Sequence, residues 1–201
     1  MAKKTAQTKQ PATRNANKRS AWWQSLWLWA IVGVVVLAVL GVLLVQQTAT
    51  NSAATLAGLQ SFSGQQRGHT TDPVQYQQIP PVGGMHNPAW QNCGIYDAPI
   101  ANENGVHTLE HGAVWITYQP ELPPATVDAL RALVRGRQYT LLSPFPGLPA
   151  PVVASAWGLQ LKVDDVADPR LARFLATYIQ GPQTPEPGAS CVGGIGQPID
   201  S

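Results

Sequence analysis

The chain has four histidines, His69, His86, His107 and His111, and they fall close together in a sequence of 201 residues. Imidazole is the commonest protein metal ligand and the side chain that titrates nearest neutral pH, so this clustering is where chemistry is to be sought. His107-Thr108-Leu109-Glu110-His111 matches H-x-x-E-H, in which two histidines one helical turn apart hold zinc and the glutamate acts as general base. The spacing works only on a helix or tight turn. In an extended strand, residues four apart are separated by about 13 Å, too far to share one ion. Gly112 and the strand-like run after it leave room for only a short helix, which weighs against a metal-dependent hydrolase with Glu110 as its base. Glu110 serves equally well as an outer partner that orients an imidazole.

His86 follows Pro80-Pro81-Val82-Gly83-Gly84-Met85, a rigid pair and then two glycines that let the backbone turn and approach something closely. Such a loop could aim His86 at the His107/His111 turn. Three imidazoles, His86, His107 and His111, suit zinc or copper, with His69 as a further member. The thioether of Met85 would tilt the set toward Cu⁺. Against this stands the plainer reading that the histidines bond backbone carbonyls in a Pro/Gly-rich region, and the residues alone leave both open. Other chemistries lack their motifs: there is no G-x-S-x-G, no phosphate-cradling glycine loop and no C-x-x-C. Asp164, Asp165 and Asp168 lack the glycine and terminal glutamate of a calcium loop, and Asp168 reads as a helix cap.

The elements that must position these residues form an α+β order with the histidines on loops. Asn87 to Tyr96 reads as an ordered loop gripped by Trp90 and Tyr96. Gly112 to Tyr118 is β-branched and aromatic and reads as a buried strand. Pro123 and Pro124 open a helix through Arg135, on which Val127, Leu130, Leu133 and Val134 recur at helical spacing before Gly136. Tyr139 to Leu142 and Val152 to Trp157 read as short strands. Leu159, Leu161 and Val163 alternate with Gln160 and Lys162 as in a half-exposed strand. Asp168 and Pro169 cap a last helix carrying Leu171, Phe174, Leu175, Tyr178 and Ile179, stopped by Gly181-Pro182. The expectation is a short mixed or antiparallel sheet with two main helices. Cys93 and Cys191 are the only cysteines, and in an oxidising compartment an even number favours pairing over free thiols. Closing a loop of about 100 residues would contribute about 4 to 5 kcal/mol in the chain-entropy treatment.

The compartment follows from the N-terminal segment. Leu26 to Val45 is an apolar run of about the twenty residues needed to cross a bilayer. Lys3, Lys4, Lys9, Arg14, Lys18 and Arg19 precede it with no acidic residue, which keeps the N-terminus cytoplasmic. Trp22, Trp23, Trp27 and Trp29 suit the interfacial belt at that end. A cleaved signal peptide is the competing reading, supported by small residues from Thr48 to Ala54, but the run is longer than an ordinary signal core. The chain thus divides into a basic cytoplasmic tail (1–20), a transmembrane anchor (21–45), a polar stalk (46–66), an extracytoplasmic domain (67–195) and a loose tail (196–201). With the six N-terminal positives set aside, seven Lys or Arg face eleven Asp or Glu, so the folded part is mildly acidic. With no basic stripe or aromatic platform there, nucleic-acid binding is excluded as a function class.

Taken together, Gly68-His69, Pro80-Pro81 with Gly84-Met85-His86, Trp90, Gly94-Ile95-Tyr96, Val106-His107-Thr108-Leu109-Glu110-His111-Gly112 and Ala156-Trp157-Gly158 resemble the bacterial domain of unknown function 3105 family. The resemblance covers about Gly68 to Cys191, and V-H-x-L-E-H-G is its most specific part. Against the family's P-P-T-S-G-P-H and V-H-x-L-E-H-G-G, this chain departs at Val82, Gly83, Met85 and Ala113 and keeps the histidines. An argument from Met85 is therefore particular to this chain. The resemblance implies an N-terminal membrane anchor followed by one exported domain with a candidate site, and implies no activity. Three functions are open: a single-pass membrane-anchored protein that binds a transition metal, which need not be an enzyme; a disulfide-stapled module that contacts an envelope protein; and a metal-dependent hydrolase.

Overall fold

The computed structural model describes residues 29–41 and 56–200. The chain divides into two compact units, Met1–Ala54 and Thr55–Ser201. In the first, residues 29–41 are helical (α1) and exposed throughout. Among the described residues no helix is long and apolar enough to cross a membrane. The expected span from Leu26 to Val45 passes beyond both ends of α1 into residues outside those described, as do the basic segment 1–20 and most of the expected stalk.

The second unit is α+β. Its elements are β1 (Gln60–Ser61), β2 (Gly94–Ile95), α2 (Asn102–Glu110), β3 (Val114–Tyr118), α3 (Pro124–Val134), β4 (Thr140–Pro144), β5 (Val152–Ala156), β6 (Leu159–Val163) and α4 (Pro169–Tyr178). One mixed sheet runs in the order β1-β6-β5-β3-β4-β2. β4 is parallel to both β3 and β2, as the α3 crossover between β3 and β4 requires, and the remaining pairs are antiparallel. Because side chains alternate across a strand, β3 serves two cores. Val114, Ile116 and Tyr118 join Leu130 and Val134 of α3 and Leu171, Phe174 and Leu175 of α4 on one face. Trp115 packs with Leu141 and with Val106 and Leu109 of α2 on the other.

α2 is the helix the sequence reading lacks, and it takes His107 and Glu110 off the expected loops. Asn, Gly, Val, His and Thr are poor helix formers, and Ala101 offers no side-chain cap, so local preference would not form it. Burial does: every residue from Asn104 to Glu110 is buried. Gly105 lets the helix lie against Trp115, since a Cβ there would come within 2.7 Å of the indole ring. Gly112 ends the helix with φ +93°, donating to Leu109 O while Ala113 donates to Thr108 O, the Schellman pairing that a glycine in the left-handed region completes.

Elsewhere the expected elements stand with small shifts. α3 and α4 start at their prolines, and Asp168 accepts a hydrogen bond from the Arg170 N–H as an N-cap. The simple alternation expected for β6 fails at Gln160, which is 1 % exposed. The Pro80–Val82 loop lies over that face, with Gln160 Nε2 donating to Pro80 O and the Gly158 N–H to Val82 O. The compact unit also reaches further at both ends than the expected 67–195. Leu56 is buried in the core and β1 pairs with β6, both within the segment read as stalk. Residues 196–200, expected as a loose tail, bond to 92–95: Asn92 Nδ2 donates to Gly196 O, Ile95 N–H to Asp200 O and Ile199 N–H to Ile95 O. β2 is an edge strand with backbone groups to satisfy, and this segment satisfies them.

Candidate metal centre

His86 is set by the loop that crosses the β5–β6 turn. It forms a parallel bridge with His69, in which Thr70 N–H donates to His86 O and His86 N–H to Gly68 O. One short backbone contact therefore brings in both histidines. The Tyr76 hydroxyl, its pKa pushed up by burial and then by Glu103, donates to Met85 O and secures the same loop. The Met85 side chain packs over Gly68. From the other side, α2 is latched to residues 87–91: Asn104 Nδ2 donates to Ala89 O, Gln91 N–H to Asn104 O, and Thr108 Oγ1 lies 2.7 Å from Gln91 O.

The rings of His69, His86 and His107 form a triangle with centroid separations of 4.8, 4.9 and 4.9 Å. Glu110, one helical turn after His107, places Oε2 2.9 Å from His86 Nε2 and 3.9 Å from His69 Nε2. One donor atom from each of these four residues lies within 4.8 Å of all the others. His86, His107 and Glu110 are buried, whereas the His69 side chain is 47 % exposed, so the site faces solvent on the His69 side.

The tautomers follow from the backbone. His86 Nδ1 is 2.7 Å from Gly84 O, and His107 Nδ1 is 2.6 Å from Asn87 O. A carbonyl only accepts, so each Nδ1 carries the hydrogen and donates it, and in the neutral ring Nε2 is left with a lone pair. Metal-ligating histidines are held in this way, the far nitrogen bonded to a carbonyl and the near one free. His86 Nε2 is buried and faces Glu110 Oε2 at 2.9 Å. Burial pushes the His107 pKa down to about 4, against the opposing bond to Asn87 and with help from His111, His86 and His69. His107 is thus a neutral imidazole at ordinary pH.

His111 stands apart from the four. Its ring meets that of His107 edge-on at 4.5 Å, but its Nδ1 donates to Ser190 O and its Nε2 is 3.8 Å from Glu186 Oε2. The fold therefore groups His69, His86 and His107 with Glu110, and leaves His111 beside them facing Glu186. The sequence carried no signal for Glu186, which Cys191 and the loop before it bring to the end of α2. Glu110 lies among the donors, which is where a ligand sits; the general base of an H-x-x-E-H protease would stand off the ion, and both of its histidines would face it. The disulfide joins Cys93 to Cys191 across a sequence separation of 98 residues and holds the Ser190 segment against Cys93, whose N–H donates to Cys191 O.

No curated protein and no solved structure matches the chain. A family model described as "Protein of unknown function (DUF3105)" matches residues 69–193, a span that opens at His69 and contains all four grouped donors, His111, Glu186 and both cysteines. The chain belongs to the DUF3105 family.

Proposed function

We propose that the compact unit binds one divalent transition-metal ion through His69, His86, His107 and Glu110. One observation carries this reading: one donor atom from each of three imidazoles and a carboxyl converge within 4.8 Å in a largely buried space, with His86 Nε2 2.9 Å from Glu110 Oε2. In neutral rings with hydrogen on Nδ1 the facing nitrogens are acceptors like the carboxylate, and a cation would remove their mutual repulsion. Three imidazoles and a carboxyl suit zinc, and also Cu²⁺. With bonds of about 2.1 Å, tetrahedral donors lie about 3.4 Å apart, so the set must contract slightly. His69, half exposed, is the donor free to swing in. The binding reading assigns Glu110 to the ion and requires no turnover.

The same reading places the site outside the cytoplasm on a single membrane span. It is supported by the apolar run from Leu26 to Val45, by the exclusively basic residues before it and by the exposure of every apolar side chain in α1. Retention in the membrane pellet after alkaline extraction, with protease access to the compact unit only from outside, is the expected result; a freely extracted protein defeats the anchor.

Elemental analysis of the untagged full-length protein, purified from an oxidising compartment, tests the metal. The expected outcome is near-stoichiometric zinc or copper, reduced in His69→Ala, whose exposed side chain leaves folding intact, and absent in His107→Ala. A folded wild type that stays metal-free after reconstitution with either ion defeats the proposal.

A further inference from the structure

Beyond the buried site, we infer that His111 and Glu186 form a second, rim-level metal subsite. His111 Nδ1 donates to Ser190 O, which leaves Nε2 to face Glu186 Oε2 at 3.8 Å. Two donors on one ion with bonds of about 2.1 Å stand about 3.4 Å apart in tetrahedral geometry, so the observed gap needs only a small closure. Glu186 can supply it, being 54 % exposed, while the His111 ring is 6 % exposed and fixed.

The backbone builds this pair deliberately. Glu186 N–H donates to Glu110 O, tying the residue to the last turn of α2, and Gln180 secures the same corner by donating from Nε2 to His111 O and accepting from Gly188 N–H. Trp90 lies against the rings of both His107 and His111, at centroid distances of 5.8 and 5.1 Å, and walls one side. His107 and His111 meet at 4.5 Å, so the subsite and the buried donor set are neighbours that share a histidine wall. One imidazole and one carboxylate, completed by water, make a weaker holder than three imidazoles and a carboxyl. The chemical class is a borderline divalent ion, Zn²⁺ or Cu²⁺, bound reversibly at the surface.

The test is titration of the full-length, untagged protein with Zn²⁺ against a chelating indicator, and with Cu²⁺ followed by electron paramagnetic resonance. Glu186→Gln and His111→Gln are carried in parallel. The expected result is two equivalents in the wild type, the second weaker and giving its own Cu²⁺ signal, and loss of that second equivalent alone in both variants. One equivalent in the wild type, unchanged in Glu186→Gln, overturns the subsite and leaves the buried site standing. Two equivalents retained in Glu186→Gln also overturn it, and no binding at all overturns both sites. Because His111 is buried, the exposed Glu186→Gln decides the matter if His111→Gln does not fold.

Discussion

At the scale of single residues, the site is organised by which ring nitrogen carries hydrogen. Gly84, Asn87 and Ser190 each offer a carbonyl to an Nδ1, and that choice leaves Nε2 of His86 facing Glu110 and Nε2 of His111 facing Glu186. His107 also makes the metal-free protein acid-sensitive. Its folded pKa is lowered to about 4, against 6.5 for an unperturbed histidine, so as pH falls below 6.5 the unfolded chain takes a proton that the folded one refuses. Stability is therefore lost between pH 6.5 and about 4, by up to about 3 kcal/mol from this residue, and no further below that window. Urea denaturation of the metal-free protein across this range should show the decline, and His107→Gln should flatten it. An equally steep decline in His107→Gln would assign the effect to another group.

At the scale of elements, α2 is held in place by its surroundings. Adding a methyl at Gly105 meets the Trp115 ring at 2.7 Å, and overpacking of this kind typically costs about 1 to 3 kcal/mol. Gly105→Ala is expected to lower stability by that amount and to weaken metal binding as well, because His107 and Glu110 move with the helix. Asp168→Ala is the matched control. It removes the N-cap of α4, for about 1 kcal/mol, and should leave metal affinity unchanged because α4 packs on the opposite face of the sheet. Equal affinity losses in the two variants would mean that general destabilisation, and not the seat of α2, sets the site.

At the scale of the whole molecule, the Cys93–Cys191 disulfide joins the loop beside β2 to the segment that carries Ser190 and follows Glu186. Replacing both cysteines by serine is expected to destabilise the compact unit by about 2 to 5 kcal/mol, the usual range for a native disulfide, read as a lower denaturant midpoint. The buried donors sit on α2 and the 69–86 bridge, which residues 186–191 meet through the Glu186 N–H bond to Glu110 O and the His111 ring's bond to Ser190 O. The buried metal should nonetheless survive in folded double-serine protein, while His111, which relies on Ser190 O, should lose its fixed orientation. Loss of all metal from a folded double-serine variant would show that the strap supports the buried set as well.

The sequence by itself determined the helices α3 and α4, the strands from β3 to β6, the pairing of the two cysteines and the neighbourhood of the chemistry. Each of these rests on local signals: a proline that starts a helix, a glycine that stops one, an alternating or β-branched run, a lone pair of cysteines. Only the tertiary structure decided the rest. α2 exists because its buried face packs on Trp115 and its polar side chains catch carbonyls of residues 87–91, a gain that outweighs its poor helix propensity and that no window of sequence contains. The four-residue spacing of His107 and His111, which needs a helix or tight turn, was a local sign of it, and Gly112 reads as its stop only once the helix is in view. β1 and residues 195–200 join the sheet region because edge backbone groups need partners, and Gln160 turns inward because a distant loop covers it. The membership of the donor set was settled in the same way. His69 enters through a backbone bridge to His86, and Glu110 faces inward on the final turn of α2. His111, though only four positions from His107, is drawn away by a carbonyl that a disulfide holds nearby. Spacing along the chain brings candidate ligands to one region, but the direction of each lone pair depends on which distant carbonyl its other nitrogen meets.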